Sequence, residues 1–144
     1  MAGKDALGTQ FLRETAVPDT YEVIASVSDI SGPSRSREAI EVTAHDSPNK
    51  YREFVPGLKD GGEVEITLNY DPASATHASL DTDFESDDLV NYQIIILPGT
   101  ADEHTWEFAA IVTALGDAYP IDNKMERTAT FKVSGKPVLT PTGA

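Results

Sequence analysis

Three groups of residues have types and spacings that could do chemistry. The run "DTDFESDD", Asp81 to Asp88, clusters carboxylates as a hard cation requires. Asp81, Asp83 and Glu85 fit the first, third and fifth positions of a calcium loop. Ser86 stands where the loop needs glycine, however, and Tyr92 stands where a bidentate glutamate should close the shell. The motif fails, and the run reads as the solvated acidic end of a helix. Glu63 and Glu65 share one strand face, where a glycosidase-like carboxylate pair is conceivable. With 24 acids among 144 residues, an ordinary polar sheet face is the simpler reading. His45, His77 and His104 show neither HExxH nor His-x-His spacing, so no zinc site is expected. The chain also lacks a nucleophile elbow, a phosphate loop and a dinucleotide fingerprint. The expectation is a protein that is not an enzyme, with no catalytic residues, no metal and no cofactor.

The elements around these residues are mostly strands. "TYEVIASVS" alternates with Tyr21, Val23, Ala25 and Val27 on one face, and "REAIEVTAHD" resumes as a strand after a Gly-Pro turn. The clearest strand sets Val64, Ile66, Leu68 and Tyr70 against Glu63, Glu65, Thr67 and Asn69, the period of a sheet with one buried face. Asp71-Pro72 reads as the start of one helix running to about Asp87, with Ala73, Thr76, Leu80 and Phe84 on its apolar side. "VNYQIIILPG" is apolar on both faces and is expected as a central strand covered on both sides. "HTWEFAAIVTALG" and "MERTATFKVSG" follow as strands. Trp106, Phe108, Ala110 and Val112 share a face of the first, and Ala129, Phe131 and Val133 a face of the second. The expected fold is mainly β: a β-sandwich or partly open barrel with one flanking α-helix. Residues 1–144 read as one domain, with a mobile N-terminal segment at about 1–7 and a mobile C-terminal tail at about 137–144, neither of which carries a core pattern.

Charge and composition narrow the function classes. Eleven Lys and Arg against 24 Asp and Glu give a formal charge of −13, which repels nucleic-acid phosphates and argues against DNA binding. The absence of cysteine excludes a disulfide or thiolate-metal framework. The longest aliphatic run, Ile94 to Leu97, falls far short of the ~20 residues of a membrane helix, and no apolar signal region opens the chain.

The most distinctive stretch is the connector Asp46 to Gly62, "DSPNKYREFVPGLKDGG", expected as a loop with a short helical turn at Tyr51–Phe54. Long ordered loops in compact domains usually carry function. The apolar Tyr51, Phe54, Val55 and Leu58 must cover something, either their own domain or a neighbouring copy.

In order along the chain, "YREFVPGLKDGGEVEITLNYDP", "THASLDTDFESDDLVNYQIIIL", "TWEFAAIVTALG" and "TATFKVSGKPVL" resemble the major tail tube proteins of long-tailed, lambda-like bacteriophages, from about Gly8 to Leu139. The resemblance implies a structural virion protein, a homo-oligomer whose hexameric rings stack into a hollow tube. In that family the inner sheets of a ring join into one barrel around a tape-measure protein, and DNA later passes down the lumen without specific binding. It also implies tail terminator and tip proteins as partners, and assembly in the bacterial host cytoplasm. Carried onto this chain, the connector becomes the inter-ring assembly loop, with Tyr51, Arg52, Phe54, Val55, Leu58, Lys59 and Asp60 as its contact residues. Glu63, Glu65, Thr67 and Glu41 become the candidates to face the lumen. The alternative is a monomeric acidic β-sandwich that binds a glycan or protein partner; a row of exposed aromatics or a complete metal site would mark it.

Overall fold

The computed structural model describes residues 8–15, 17–46 and 48–143. Nine strands and one helix follow in the order β1 (Gln10–Glu14), β2 (Tyr21–Val23), β3 (Val27–Ser31), β4 (Ser36–Glu41), β5 (Phe54–Asp60), β6 (Glu63–Asn69), α1 (Ala75–Glu85), β7 (Val90–Ile96), β8 (His104–Ala118) and β9 (Glu126–Pro141). Seven strands form one antiparallel sheet in the order β2-β1-β7-β8-β9-β6-β3, while β4 and β5 form a separate ribbon. The expected β-rich fold with one helix is the fold observed.

The alternation in β6 fixes its orientation: Val64, Ile66 and Leu68 are fully buried and Glu63 and Glu65 are exposed. Register carries the same face across the sheet. Val64 lies opposite Phe131, Ile66 opposite Ala129, and Val112 opposite Phe131. At the centre the rings of Phe11, Tyr92, Phe108 and Phe131 meet with centroids 4.8–6.5 Å apart. Offset and edge contacts of this kind add to the apolar area that such rings remove from water.

Where the sequence suggests one strand over "TYEVIASVS", the chain breaks after Val23 and crosses from one edge of the sheet to the other. Ser26 takes a left-handed φ of 60° in the crossing. The Ile24 N–H donates to the Phe11 carbonyl and the Asn69 N–H to the Ser26 carbonyl, both at 2.9 Å, so three residues tie β1 to β6. The sheet thereby curls into a partly open barrel. The crossing inverts the expected alternation: Ile24 is buried, whereas Val23 is 44% exposed.

The helix begins later than Asp71-Pro72, with Ser74 as its N-cap, and its buried residues are His77, Leu80 and Asp83. Leu80 matches expectation; Phe84 does not, being 45% exposed. The buried face is polar because the barrel presents polar groups to it. Arg13 grips Asp83 with two hydrogen bonds of 2.9 and 2.6 Å, and the Tyr92 hydroxyl donates to the same carboxylate at 2.9 Å. Arg127 donates to both oxygens of Asp117 at 2.6 and 3.2 Å, and to Asp81 and the His77 carbonyl at 3.2 Å each. His77 donates from Nε2 to the Ala25 carbonyl at 2.6 Å and accepts the Asp71 N–H at Nδ1, at 3.0 Å. The helix is thus fastened to β1, to β9 and to the crossing segment.

Two further expectations change. β7 buries the face of Tyr92 and Ile94, while Gln93 and Ile95 on its other face are half-buried, so among the described residues that side of the strand is only partly covered. At the C-terminus, residues 137–141 belong to β9 rather than to a patternless tail. Val138, Leu139, Thr140 and Pro141 pair with Glu107, Trp106, Thr105 and His104. The N-terminal segment 1–7 lies outside the described residues.

Candidate assembly surfaces

The connector is a strand-forming arm, not a loop. β4 and β5 pair with Glu41 opposite Phe54, Ile40 opposite Val55 and Arg37 opposite Lys59. Beyond the strand ends, the Val42 N–H donates to the Glu53 carbonyl and the Glu53 N–H to Thr43 Oγ1, both at 2.8 Å. No helical turn forms at Tyr51–Phe54, since Phe54 already opens β5; the short turn near the tip, Pro48–Lys50, has Asn49 and Lys50 at left-handed φ of 55° and 61°. Six residues at about 3.4 Å each carry the ribbon about 20 Å along its strands.

The root of the arm is held tightly. Asp60 accepts hydrogen bonds from the Lys132 ammonium and the Gly62 N–H, both at 2.7 Å. Those bonds, Lys132 first, hold its carboxyl below the ordinary carboxylate range. Gly62 sits at φ +76°, where a Cβ would collide with the Ser34 carbonyl, so the bend at the root requires glycine.

The flanks of the arm are apolar and open. Ile40, Val42, Phe54 and Val55 are exposed, Tyr51 is 74% and Leu58 85% exposed. Ile40 and Val55 occupy one face of the ribbon and Phe54 the other, so both faces present apolar groups. These side chains stay at least two-fifths exposed in the single chain. The arm is also neutral. Five Lys and Arg and five Asp and Glu fall between Arg35 and Asp60, so the remainder of the chain carries the entire −13.

The other predicted residues divide. Glu63, Glu65 and Thr67 project from the outer face of β6, opposite Lys132, Thr130 and Thr128 of β9. Glu41 is exposed but belongs to the arm, in the separate ribbon. Asp60 anchors the arm root rather than standing free on its flank. Sequence reasoning missed Lys132, which adds a cation to the β6–β9 wall; the antiparallel register that places it beside Glu63 is not carried by periodicity.

The acidic run is not solvated as a whole. Asp83 is buried against Arg13 and Tyr92, and Asp81 pairs with Arg127. Among the described residues no cluster of His, Asp and Glu is arranged to hold a metal ion, and no helix is long and apolar enough to cross a membrane. Trp106 is half-buried with the Arg35 guanidinium 4.9 Å from its ring centroid, and Phe108 is buried, so these two do not form an exposed aromatic row.

A family model described as lambda phage tail tube protein matches residues 5–140. A chain from the tail of an empty gene transfer agent particle, refined helically with C6 symmetry, superposes with a TM-score of 0.77 at 15% identity, covering 96% of this chain and 99% of that one. The SPP1 tail tube gives 0.71 at 10% identity over 94% and 78%. A sheath-tube complex of an extracellular contractile injection system gives 0.70 at 11% over 93% and 88%. No curated protein sequence matches.

Proposed function

The chain belongs to the lambda phage tail tube protein family, and on that premise we propose that its copies close into six-membered rings which stack, through the arm, into the hollow conduit of a virion tail. The exposed, charge-neutral apolar arm carries this reading. Bodies of −13 repel one another, whereas a neutral arm can approach another copy at little electrostatic cost and bury Tyr51, Phe54, Val55 and Leu58 there. The six-fold symmetry of the gene transfer agent tail supports the ring number.

In the ring, sheet edges of neighbouring copies join, which removes the exposed edges that an open barrel leaves. Glu63, Glu65 and Thr67 face the lumen, with Thr128 and Thr130 beside them. The wall's one named cation, Lys132, is paired with Asp60, so threonine and carboxylate leave phosphates little counterion-releasing contact and DNA slides past without being held. Nothing in this role needs a catalytic group. A tape-measure protein fills the lumen during assembly, and terminator and tip proteins close the ends.

The experiment is Phe54→Asp with Leu58→Asp, followed by electron microscopy and sedimentation of the concentrated protein. The reading expects a folded protein that makes no stacked tubes. Tubes of wild-type length from the double variant would overturn it.

A further inference from the structure

At the root of the arm lies an open cleft of about 1330 Å³, between the arm and the bend of β9. Arg35, Arg37, Lys59 and Lys136 line it, with Leu58 and Pro33 supplying apolar wall. Its two carboxylates are Glu38 and Asp60, and Asp60 is already engaged by Lys132. Among the described residues none of the four cations has an ion-pair partner, in a chain whose formal charge is −13.

Elsewhere the same molecule carries the complement. The end of α1 and the turn after it expose Glu85, Asp87 and Asp88 together with the apolar Phe84 and Leu89. Unlike Asp81 and Asp83, these three carboxylates have no ion-pair partner among the described residues.

The register relates the two surfaces. Val90, next to Leu89, pairs with Ala110; Ala110 pairs with Val133; and the Val133 N–H donates to the Gly62 carbonyl at 2.9 Å, at the cleft. Patch and cleft therefore stand at one level of the sheet, about three strand spacings or ~15 Å apart across it. A heterologous contact between patch and cleft closes into a ring when its rotation divides the full turn and it carries no axial offset, and two surfaces at one level of the sheet suit the second condition.

We propose that the basic cleft receives the 84–89 segment of a second copy, and that this charge-matched contact sets the direction of ring closure. The inference rests on the ring-forming reading and names its side-to-side contact; this contact meets the arm's contact between rings at Leu58 and Lys59, and rescue by the opposite charge swap in 84–89 is what separates the two.

Four proteins test it: wild type, Arg37→Glu with Lys59→Glu, Asp87→Lys with Asp88→Lys, and all four changes together. All altered residues are exposed, and melting curves verify that each protein folds. Each double variant should need at least about tenfold more protein to form rings or tubes, since like charges then face each other. An equimolar mixture of the two double variants, and the quadruple variant, should restore assembly. Assembly by either double variant at the wild-type concentration, or no rescue in mixture and quadruple variant, would overturn the contact. So would loss, in Arg37→Glu with Lys59→Glu, of a wild-type affinity for a DNA oligonucleotide, which would assign the cleft to phosphate. Absence of rings from the wild type would overturn both readings, whereas wild-type tubes with indifferent variants would overturn this one alone.

Discussion

Arg13 and Arg127 each hold a carboxylate with two hydrogen bonds, and both are largely out of water, with side-chain exposures of 14% and 3%. Removing one member of such a pair leaves the other desolvated and unpaired, which costs about 3–5 kcal/mol. Asp83→Ala strands both Arg13 and the Tyr92 hydroxyl, so its unfolding free energy, measured by denaturant titration, should fall by that amount, while Asp87→Ala, an exposed control, should change it by less than about 0.5 kcal/mol. Acid should act through Asp117, whose carboxyl is held below its ordinary range chiefly by the hydrogen bond from Arg127. A depressed folded pKa contributes stability above the ordinary carboxylate value of about 4 and loses it as pH falls through the folded value. The melting temperature of the wild type should therefore drop more steeply below about pH 4 than that of Asp117→Asn, which starts lower at neutral pH. None of these partners was legible from sequence. The acidic run shows many carboxylates, but which one turns inward depends on Arg13 and Arg127, 70 and 46 residues away from Asp83 and Asp81.

Among the elements, β6 was readable because its alternation is unbroken and one face is buried, and α1 because Leu80 lies at its centre. β5 was hidden by Pro56 and Gly57, which read as a turn. They fit a strand here because a two-stranded ribbon has two edges, where a missing N–H is tolerated. Gly57 also packs closely on β4: a Cβ there would lie 3.1 Å from Ile40 Cδ1. The crossing at Ile24–Ser26 was hidden for another reason, since the residues keep a strand's alternation while the backbone changes edge. The arm makes a sharp element-scale prediction. Phe54→Asp alone should leave the melting temperature of the monomer nearly unchanged, because the ring is already half in water, yet raise the protein concentration needed for tube growth. A loss of cooperative unfolding in that variant would return the arm to the core.

For the molecule as a whole, the charge of −13 matters through its placement: a neutral arm, a basic cleft and an otherwise anionic body. Composition revealed the sum but not the separation, which appears only when β4 and β5 leave the sheet. The wall formed by β6 and β9 tests the lumen. Glu63→Lys with Glu65→Lys should fold normally and, in phage, slow DNA ejection most at low salt, where screening is weakest; ejection at the wild-type rate in particles verified to carry both lysines would remove these residues from the lumen wall. Polymerisation of this chain with itself into a tube can be followed by electron microscopy of the purified wild-type protein over rising concentration. Hollow tubes are expected, with end views and helical averages of six-fold symmetry, as in the gene transfer agent tail. Uniform single copies at every concentration, even with assembly nucleated by isolated tail tips, would contradict it.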